Sequence, residues 1–203
     1  MQRNTFQNIP NEINRNSIED ISSFRQSVKG RKLILDMGCG HGDFLLEKTV
    51  KYPQNHFVGI EISRKRASKT SDRLHKRNIP NYHVIDSEGE LALKLIFAEK
   101  SVDEIHINFP DPWLRKRQWK NRIFKPSFLI QVIRVLKPGG FLYFVSDVAE
   151  YAEHVLKIIE EFPGLTSQYE KGIEKNLYEK FPTLFYQKMS PLRDINYICF
   201  RKN

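Results

Sequence analysis

Five short apolar runs, each closing on or shortly before an acid, constrain what this chain can fold into more than any other feature. Leu33-Ile34-Leu35 leads to Asp36, Phe57-Val58-Gly59-Ile60 to Glu61, and Tyr82 to Ile85 leads to Asp86. Val102 to Ile107 precedes Asp111, and Phe141 to Val145 precedes Asp147. Between them, apolar residues recur at helical spacing through Phe44, Leu45 and Val50, in a strongly basic segment from Ser63 to about Arg77, from Leu91 to Phe97, through Phe128, Ile130, Val132, Ile133 and Leu136, and over 150–161. Short continuous apolar runs mark strands buried on both faces, and strands alternating with helices build a mainly parallel sheet. The helix ending near Leu136 is closed by Lys137-Pro138-Gly139-Gly140, a strong stop signal. Ile18, Ile21, Phe24 and Val28 fit one face of a short leading helix. Leu165 to Tyr169 and Asn196 to Phe200 read as two strands pairing antiparallel at the C-terminal edge. The expected fold is α/β, a doubly wound, mainly parallel seven-stranded sheet with that antiparallel edge.

At 203 residues the chain suits one full domain, read as 17–203, preceded by a polar flexible arm over 1–16. The excess of 33 Lys and Arg over 24 Asp and Glu, a net +9, favours an anionic partner, nucleic acid before a membrane surface. No apolar run approaches the roughly 20 residues of a membrane span and the N-terminus lacks a signal-peptide stretch, so a soluble, cytoplasmic protein is expected. Cys39 and Cys199 are too few for a disulfide framework, and no His/Cys pair has zinc spacing, so reduced thiols and no metal are expected.

Ligands of a doubly wound sheet bind beyond the carboxyl ends of its strands, where the five acids should ring one crevice. A lone acid there is often a turn or cap residue; five in succession are harder to dismiss. The turn Gly38-Cys39-Gly40-His41-Gly42 lets the backbone approach a ligand closely. Its G-x-G-x-G spacing, with Asp36 two positions ahead, departs from the G-x-G-x-x-G of dinucleotide sites, and Asp36 would repel a pyrophosphate but suit an ammonium. Glu61, 21 positions after Gly40, is placed to accept from a ribose diol. The pair suits a cofactor with an amino acid at one end and an adenosine at the other, and His41 can line the same turn.

On the acid-x-G-x-G-x-G turn and the second-strand acid, residues 32–147 resemble the class I S-adenosylmethionine-dependent methyltransferases. Asn108-Phe109-Pro110-Asp111-Pro112-Trp113 with the basic run after it, Leu136-Lys137-Pro138-Gly139-Gly140, and Ser146-Asp147 narrow the likeness: residues 30–202 are similar to the bacterial tRNA (guanine-N7)-methyltransferases. That resemblance implies S-adenosylmethionine as cofactor, S-adenosylhomocysteine as product, tRNA as partner and guanine 46 of the variable loop as target. It implies that Asp36, Glu61, Asp86 and Asp111 hold the cofactor with Gly38 and Gly40, and that Asp111 is the catalytic acid. The family's substrate-contacting lysine falls on Arg115 and the acid of its T-D pair on Asp147. The family pattern F-P-D-P-W-x-K-x-R-H-x-K-R-R reads F-P-D-P-W-L-R-K-R-Q-W-K-N-R here. Its T-x-Y-E substrate element aligns on Thr183 to Tyr186, with Tyr in place of Glu, or in a rival register on Ser167 to Glu170. Oligomeric state stays open between monomer and homodimer.

Physical reasoning reaches the same stretch independently. Guanine N7 carries a lone pair and no proton, so attack on a sulfonium methyl needs alignment and no general base. Asp111 would anchor guanine through its N1–H and N2–H donors and stabilise the cation formed, while Pro110 and Pro112 restrict the backbone around it. Arg115, Lys116, Arg117, Lys120, Arg122 and Lys125 follow without an acid among them. A solvated face normally mixes signs, so Arg117 to Arg122, with Gln118, Trp119, Lys120 and Asn121, read as an RNA surface. Trp119 either stacks on a base or packs the loop down. The basic helix at 63–77 is as well explained by an ordinary polar helix face. Two other readings stand beside this one. An adenine N6 methyltransferase would carry an N-P-P-Y-type motif at the same strand end, against which Phe109 and the charged Asp111 count. A non-catalytic RNA-binding module would not need Asp36, Gly38, Gly40, Glu61 and Asp111 together.

Overall fold

The computed structural model describes residues 12–13, 18–177 and 184–203. Among them nine strands form one sheet: β1 (Glu12–Ile13), β2 (Leu33–Met37), β3 (His56–Glu61), β4 (Tyr82–Asp86), β5 (Val102–Asn108), β6 (Leu136–Ser146), β7 (Leu165–Ser167), β8 (Glu174–Lys175) and β9 (Asn196–Lys202). The spatial order is β1-β4-β3-β2-β5-β6-β9-β7, with β8 on β9. Every pairing from β1 to β6 is parallel, while β9 runs antiparallel to β6, β7 and β8. Seven of these strands form the expected doubly wound sheet with its antiparallel edge; the two-residue β1 and β8 are additions too short to leave a period-two pattern. The expected arm over 1–16 falls outside the described residues except for β1, which pairs with Val84 and Ile85.

Helices α1 (Ile18–Ser27), α2 (Asp43–Lys51), α3 (Arg64–His75), α4 (Gly89–Ile96), α5 (Pro126–Val135), α6 (Ala149–Glu160) and α7 (Leu184–Met189) complete the layers. Alternate residues of the strands face opposite layers. Leu35, Met37, Val58, Ile60, Ile105 and Ile107 pack with Phe24 of α1 and the apolar faces of α4, α5 and α6. Ile34 and Phe57 pack on the other side with Leu45 of α2 and Ala67 and Leu74 of α3. A third cluster joins Phe44 to Tyr186 of α7 and Val145 and Tyr197 of β6 and β9. The fully buried runs in β2 and β3 explain why they read as continuous apolar stretches.

The Lys137-Pro138-Gly139-Gly140 stop ends α5 as expected, yet its residues belong to an irregular entry into β6. Register passes from Val102↔Leu136 directly to Glu104↔Phe141, and Gly139 takes φ 79°. Chain order carries β3 and β4 to one flank of β2, and β5 and β6 to the other. The direction of winding therefore reverses between β2 and β5, and the crevice beyond their C-terminal ends is where such a sheet receives a ligand.

Candidate active site

A cavity of about 470 Å³ opens there, lined by Gly38, Gly40, Glu61, Asp111, Asn121 and Arg122 among others. That volume falls within the range of cofactor and small-ligand sites. One wall is bare backbone. Gly38 and Gly40 hold φ of 78° and 56°, a Cβ on Gly38 would meet nothing within 4 Å, and the amides of Gly38 and Cys39 donate to the Ile60 carbonyl at 2.7 and 3.1 Å. Helix α3 braces this turn from behind. Thr70 Oγ1 donates to the Gly40 carbonyl at 2.8 Å, and Arg73 Nη1 donates to the His41 carbonyl at 2.8 Å and to Asp43 Oδ1 at 2.6 Å. A Cβ on Gly42, at φ 76°, would collide with Thr70 Cγ2, so the turn and the helix fit only with glycine there.

Asp36, at the end of β2, is buried beneath the crevice and accepts a hydrogen bond from Asn108 Nδ2 at 3.2 Å. Burial pushes its pKa up to about 7, the Asn108 bond pulls the other way, and nearby Glu61 adds to the rise. Glu61 ends β3 and is saturated on one side. Its Oε1 accepts from the Ser63 amide at 2.9 Å and from Arg66 Nε and Nη2 at 3.0 and 2.8 Å. Its Oε2 accepts from the Gly40 amide at 3.1 Å, joining the acid to the glycine turn. Asp86 sits in register beside Glu61, half-buried, while Ser87 and Glu88 provide the lining at that point.

Asp111 stands exposed at the crevice edge and makes no hydrogen bond or ion pair among the described residues. The backbone on both sides of it is strained. Phe109 has φ 49° and Trp113 φ 43°, left-handed conformations that bulky residues rarely adopt and that collect at functional sites. Beyond them the basic run winds into a 3-10 helix, Lys116–Asn121. Arg115, Lys116, Arg117 and Lys120 are exposed, Gln118 and Trp119 half-buried, and Asn121 exposed on the crevice lining.

Arg122 departs from the solvent-facing place expected of it. It is 2% exposed, its guanidinium carbon lies 4.4 Å from the Trp119 ring centroid and 4.6 Å from that of Tyr151, and its Nε donates to the Pro112 carbonyl at 2.8 Å. Trp119 also packs against His154 at 5.2 Å, so of its two expected uses the one seen is holding the loop down on α6. Asp147 follows β6 but pairs with Arg193 at 2.9 Å instead of lining the crevice. Of the five strand-end acids, then, Glu61 and Asp111 line the crevice, Asp36 lies under it, and Asp86 and Asp147 stand outside its lining. Thr183 lies outside the described residues. Tyr186 is buried among Phe44, Val145 and Tyr197, and the rival Ser167 to Glu170 register lies on β7 and the turn after it, at the far edge of the sheet. Arg66 and Phe185 were given no site role by the sequence; Asn108 was read only as the head of the Pro-Asp-Pro stretch, without its bond to Asp36.

Residues 30–192 match the family described as "Putative methyltransferase". The tRNA (guanine-N(7)-)-methyltransferase of Syntrophotalea carbinolica is 31% identical over 173 residues, covering 84% of this chain and 74% of the relative. The chain belongs to the tRNA (guanine-N(7)-)-methyltransferase family. A second member, from Alkalilimnicola ehrlichii, is 34% identical over 132 residues, 65% of this chain and 56% of its own length. The chain thus spans between a little over half and three quarters of these relatives. Solved structures bear out the methyltransferase fold. The 16S rRNA methyltransferase KamB superposes with TM-score 0.68 at 15% identity, over 90% of this chain and 93% of that one. A SAM-dependent methyltransferase from Aquifex aeolicus gives 0.61 at 15% identity, over 91% and 90%. The matched span includes Phe109 and Trp113, two of the non-glycine residues with left-handed backbone.

Proposed function

We propose that the protein transfers a methyl group from S-adenosylmethionine to N7 of a guanine in tRNA, guanine 46 of the variable loop, leaving S-adenosylhomocysteine. The observation that carries this reading is the carboxylate of Asp111, without a hydrogen bond or ion pair among the described residues and held between two left-handed residues in the crevice that Glu61 and the glycine turn also line. Family membership supplies the reaction class.

The residues present suit the cofactor. Asp36, braced by Asn108, answers its ammonium. The bare Cα atoms of Gly38 and Gly40 let its amino-acid end approach the turn closely. Glu61 keeps acceptor capacity on Oε2 for a ribose hydroxyl. S-adenosylmethionine supplies an electrophilic methyl on a sulfonium, and guanine N7 a lone pair without a proton. The protein's task is alignment and charge. Asp111 accepts from the N1–H and N2–H of the guanine, fixes N7 on the line of attack, and offsets the positive charge that the base gains. Arg115, Arg117 and Lys120, exposed beyond the crevice, would meet RNA phosphates. Arg122 contributes by holding Pro112 from below.

Incubation with labelled S-adenosylmethionine and unmodified tRNA, followed by nucleoside analysis, tests the reading. Label in 7-methylguanosine is the expected result. Label in N6-methyladenosine would overturn it, and tRNA binding without transfer would favour a non-catalytic module.

A further inference from the structure

We propose that a second cavity, divided from the crevice by one aromatic ring, is a phosphodiester subsite for the tRNA strand carrying the target base; this deepens the reading above and rests on it. The cavity, about 500 Å³, lies between the glycine turn, α3 and α7. His41 and Phe185 line both spaces, so the two form one trough with the Phe185 ring as its partition. That ring is 45% exposed and leans on Phe109 at 4.8 Å, tilted by 48°. It is an apolar face at the mouth of the site that core packing does not consume.

The charge of the second cavity is one-sided. Lys69 of α3 and Lys188 of α7 line it, are exposed, and make no ion pair among the described residues. The one acid in its lining, Asp43, is neutralised by Arg73 at 2.6 Å. Helix α3 thereby divides its cations by task along one face. Arg66 holds Glu61 and Arg73 holds the glycine turn, while Lys69, three positions after one and four before the other, is left for a ligand. A base pocket, an aromatic divider and a cation pocket in sequence are how proteins grip single-stranded RNA, with the base against the ring and the backbone on the cations. The anion delivered beside a guanine in the crevice is the phosphodiester covalently attached to it. This gives the basic helix, otherwise explained as an ordinary polar face, a place in substrate binding.

The test uses the full chain with Lys69→Gln, Lys188→Gln and the double variant. Unmodified tRNA binding is measured over a salt series, S-adenosylhomocysteine binding alongside it, and the wild-type product by nucleoside analysis. Each lysine is expected to lower the slope of log affinity against log salt by about one, with cofactor-product affinity unchanged and the slope kept by the Lys→Arg versions. A double variant with the wild-type slope, from a wild type that methylates guanine N7, overturns the subsite alone. If the wild type methylates another atom while the lysine variants still lower the slope, the subsite stands and the target reading falls.

Discussion

Arg122 donates from Nε to the carbonyl of Pro112 at 2.8 Å, tying a cation buried between Trp119 and Tyr151 to the residue that follows Asp111. The guanidinium therefore acts on the site through the backbone. A hydrogen bond to a charged donor contributes about 1.5–3 kcal/mol, and each desolvated cation–π contact adds about 1–2 kcal/mol. Arg122→Lys keeps the charge but loses the flat stacking face and the fork. It is expected to lower kcat about tenfold or more while leaving the salt slope of tRNA binding unchanged. A slope reduced by one would return Arg122 to the row of phosphate contacts.

Asp111→Ala removes an exposed carboxylate with no partner among the described residues, so stability should move by no more than about 0.5 kcal/mol. Methyl transfer should fall by about a hundredfold or more, the scale for losing one aligned electrostatic group. Thermal melting and single-turnover kinetics read the two effects separately. Near-normal turnover would remove Asp111 from the reaction.

The Asp36 carboxyl is raised from an ordinary 3.8 to about 7, so in the proposed cofactor role it would couple binding to pH. Between those values the folded protein holds a proton that the unfolded chain releases. The stability associated with neutral Asp36 is thus complete below about 4 and lost as pH rises through 7. An ammonium needs the ionised form, so S-adenosylhomocysteine should bind more tightly at pH 8 than at pH 6. Asp36→Asn should melt higher than wild type at pH 8 and bind the product poorly. Titration calorimetry showing the same affinity at both pH values would mean that the ammonium has another partner.

At the opposite end of the strands, His56 Nε2 and His83 Nδ1 share a hydrogen bond of 2.7 Å. Burial lowers His83 from 6.5 to about 4, and burial followed by the charges of His83 and Arg31 lowers His56 to about 3. Depressed histidines favour the folded state above 6.5, and that contribution is lost as pH falls toward 4 and then 3. Each can steepen acid destabilisation by up to about 1.4 kcal/mol per pH unit. His83→Gln should flatten the fall of melting temperature between pH 6.5 and 4. An unaltered slope would place the acid sensitivity elsewhere.

Gly38 and Gly42 share nearly the same φ, 78° and 76°, but alanine should fail at each for a different reason. At Gly42 the new Cβ collides with Thr70, so Gly42→Ala should destabilise the fold by about 2 kcal/mol or more. At Gly38 the Cβ meets no atom of the protein, so the cost to stability should stay near the 1 kcal/mol of the backbone conformation, and the main loss should be cofactor affinity. Equal melting temperatures for the two variants would contradict this account.

Much of this was legible along the chain. Strand ends bearing acids, the stop at Lys137 to Gly140 and the pairing of Leu165–Ser167 with Asn196–Lys202 follow from local patterns that packing then respected. What escaped depends on partners distant in sequence. Six cations without an acid looked uniform, but Tyr151, on a helix 29 positions later, draws Arg122 inward. The five acids looked equivalent until Arg193 claimed Asp147, and Arg66, though exposed, turned out to pair with Glu61. Periodicity reports which face of an element is apolar; it does not report which polar groups meet across the fold.

The position of β9 bears on how the molecule is made. β9 follows β7 and β8 in the chain yet lies inside the sheet, hydrogen-bonded to β6 on one side and to β7 and β8 on the other. Until β9 is in place, the parallel strands can assemble but β6 offers an unpaired edge to any neighbouring chain. The strand that joins the parallel half to its antiparallel flank is thus also the one that withdraws β6 from pairing with other copies, and a variant with β9 weakened would keep most of its crevice residues beside an open flank.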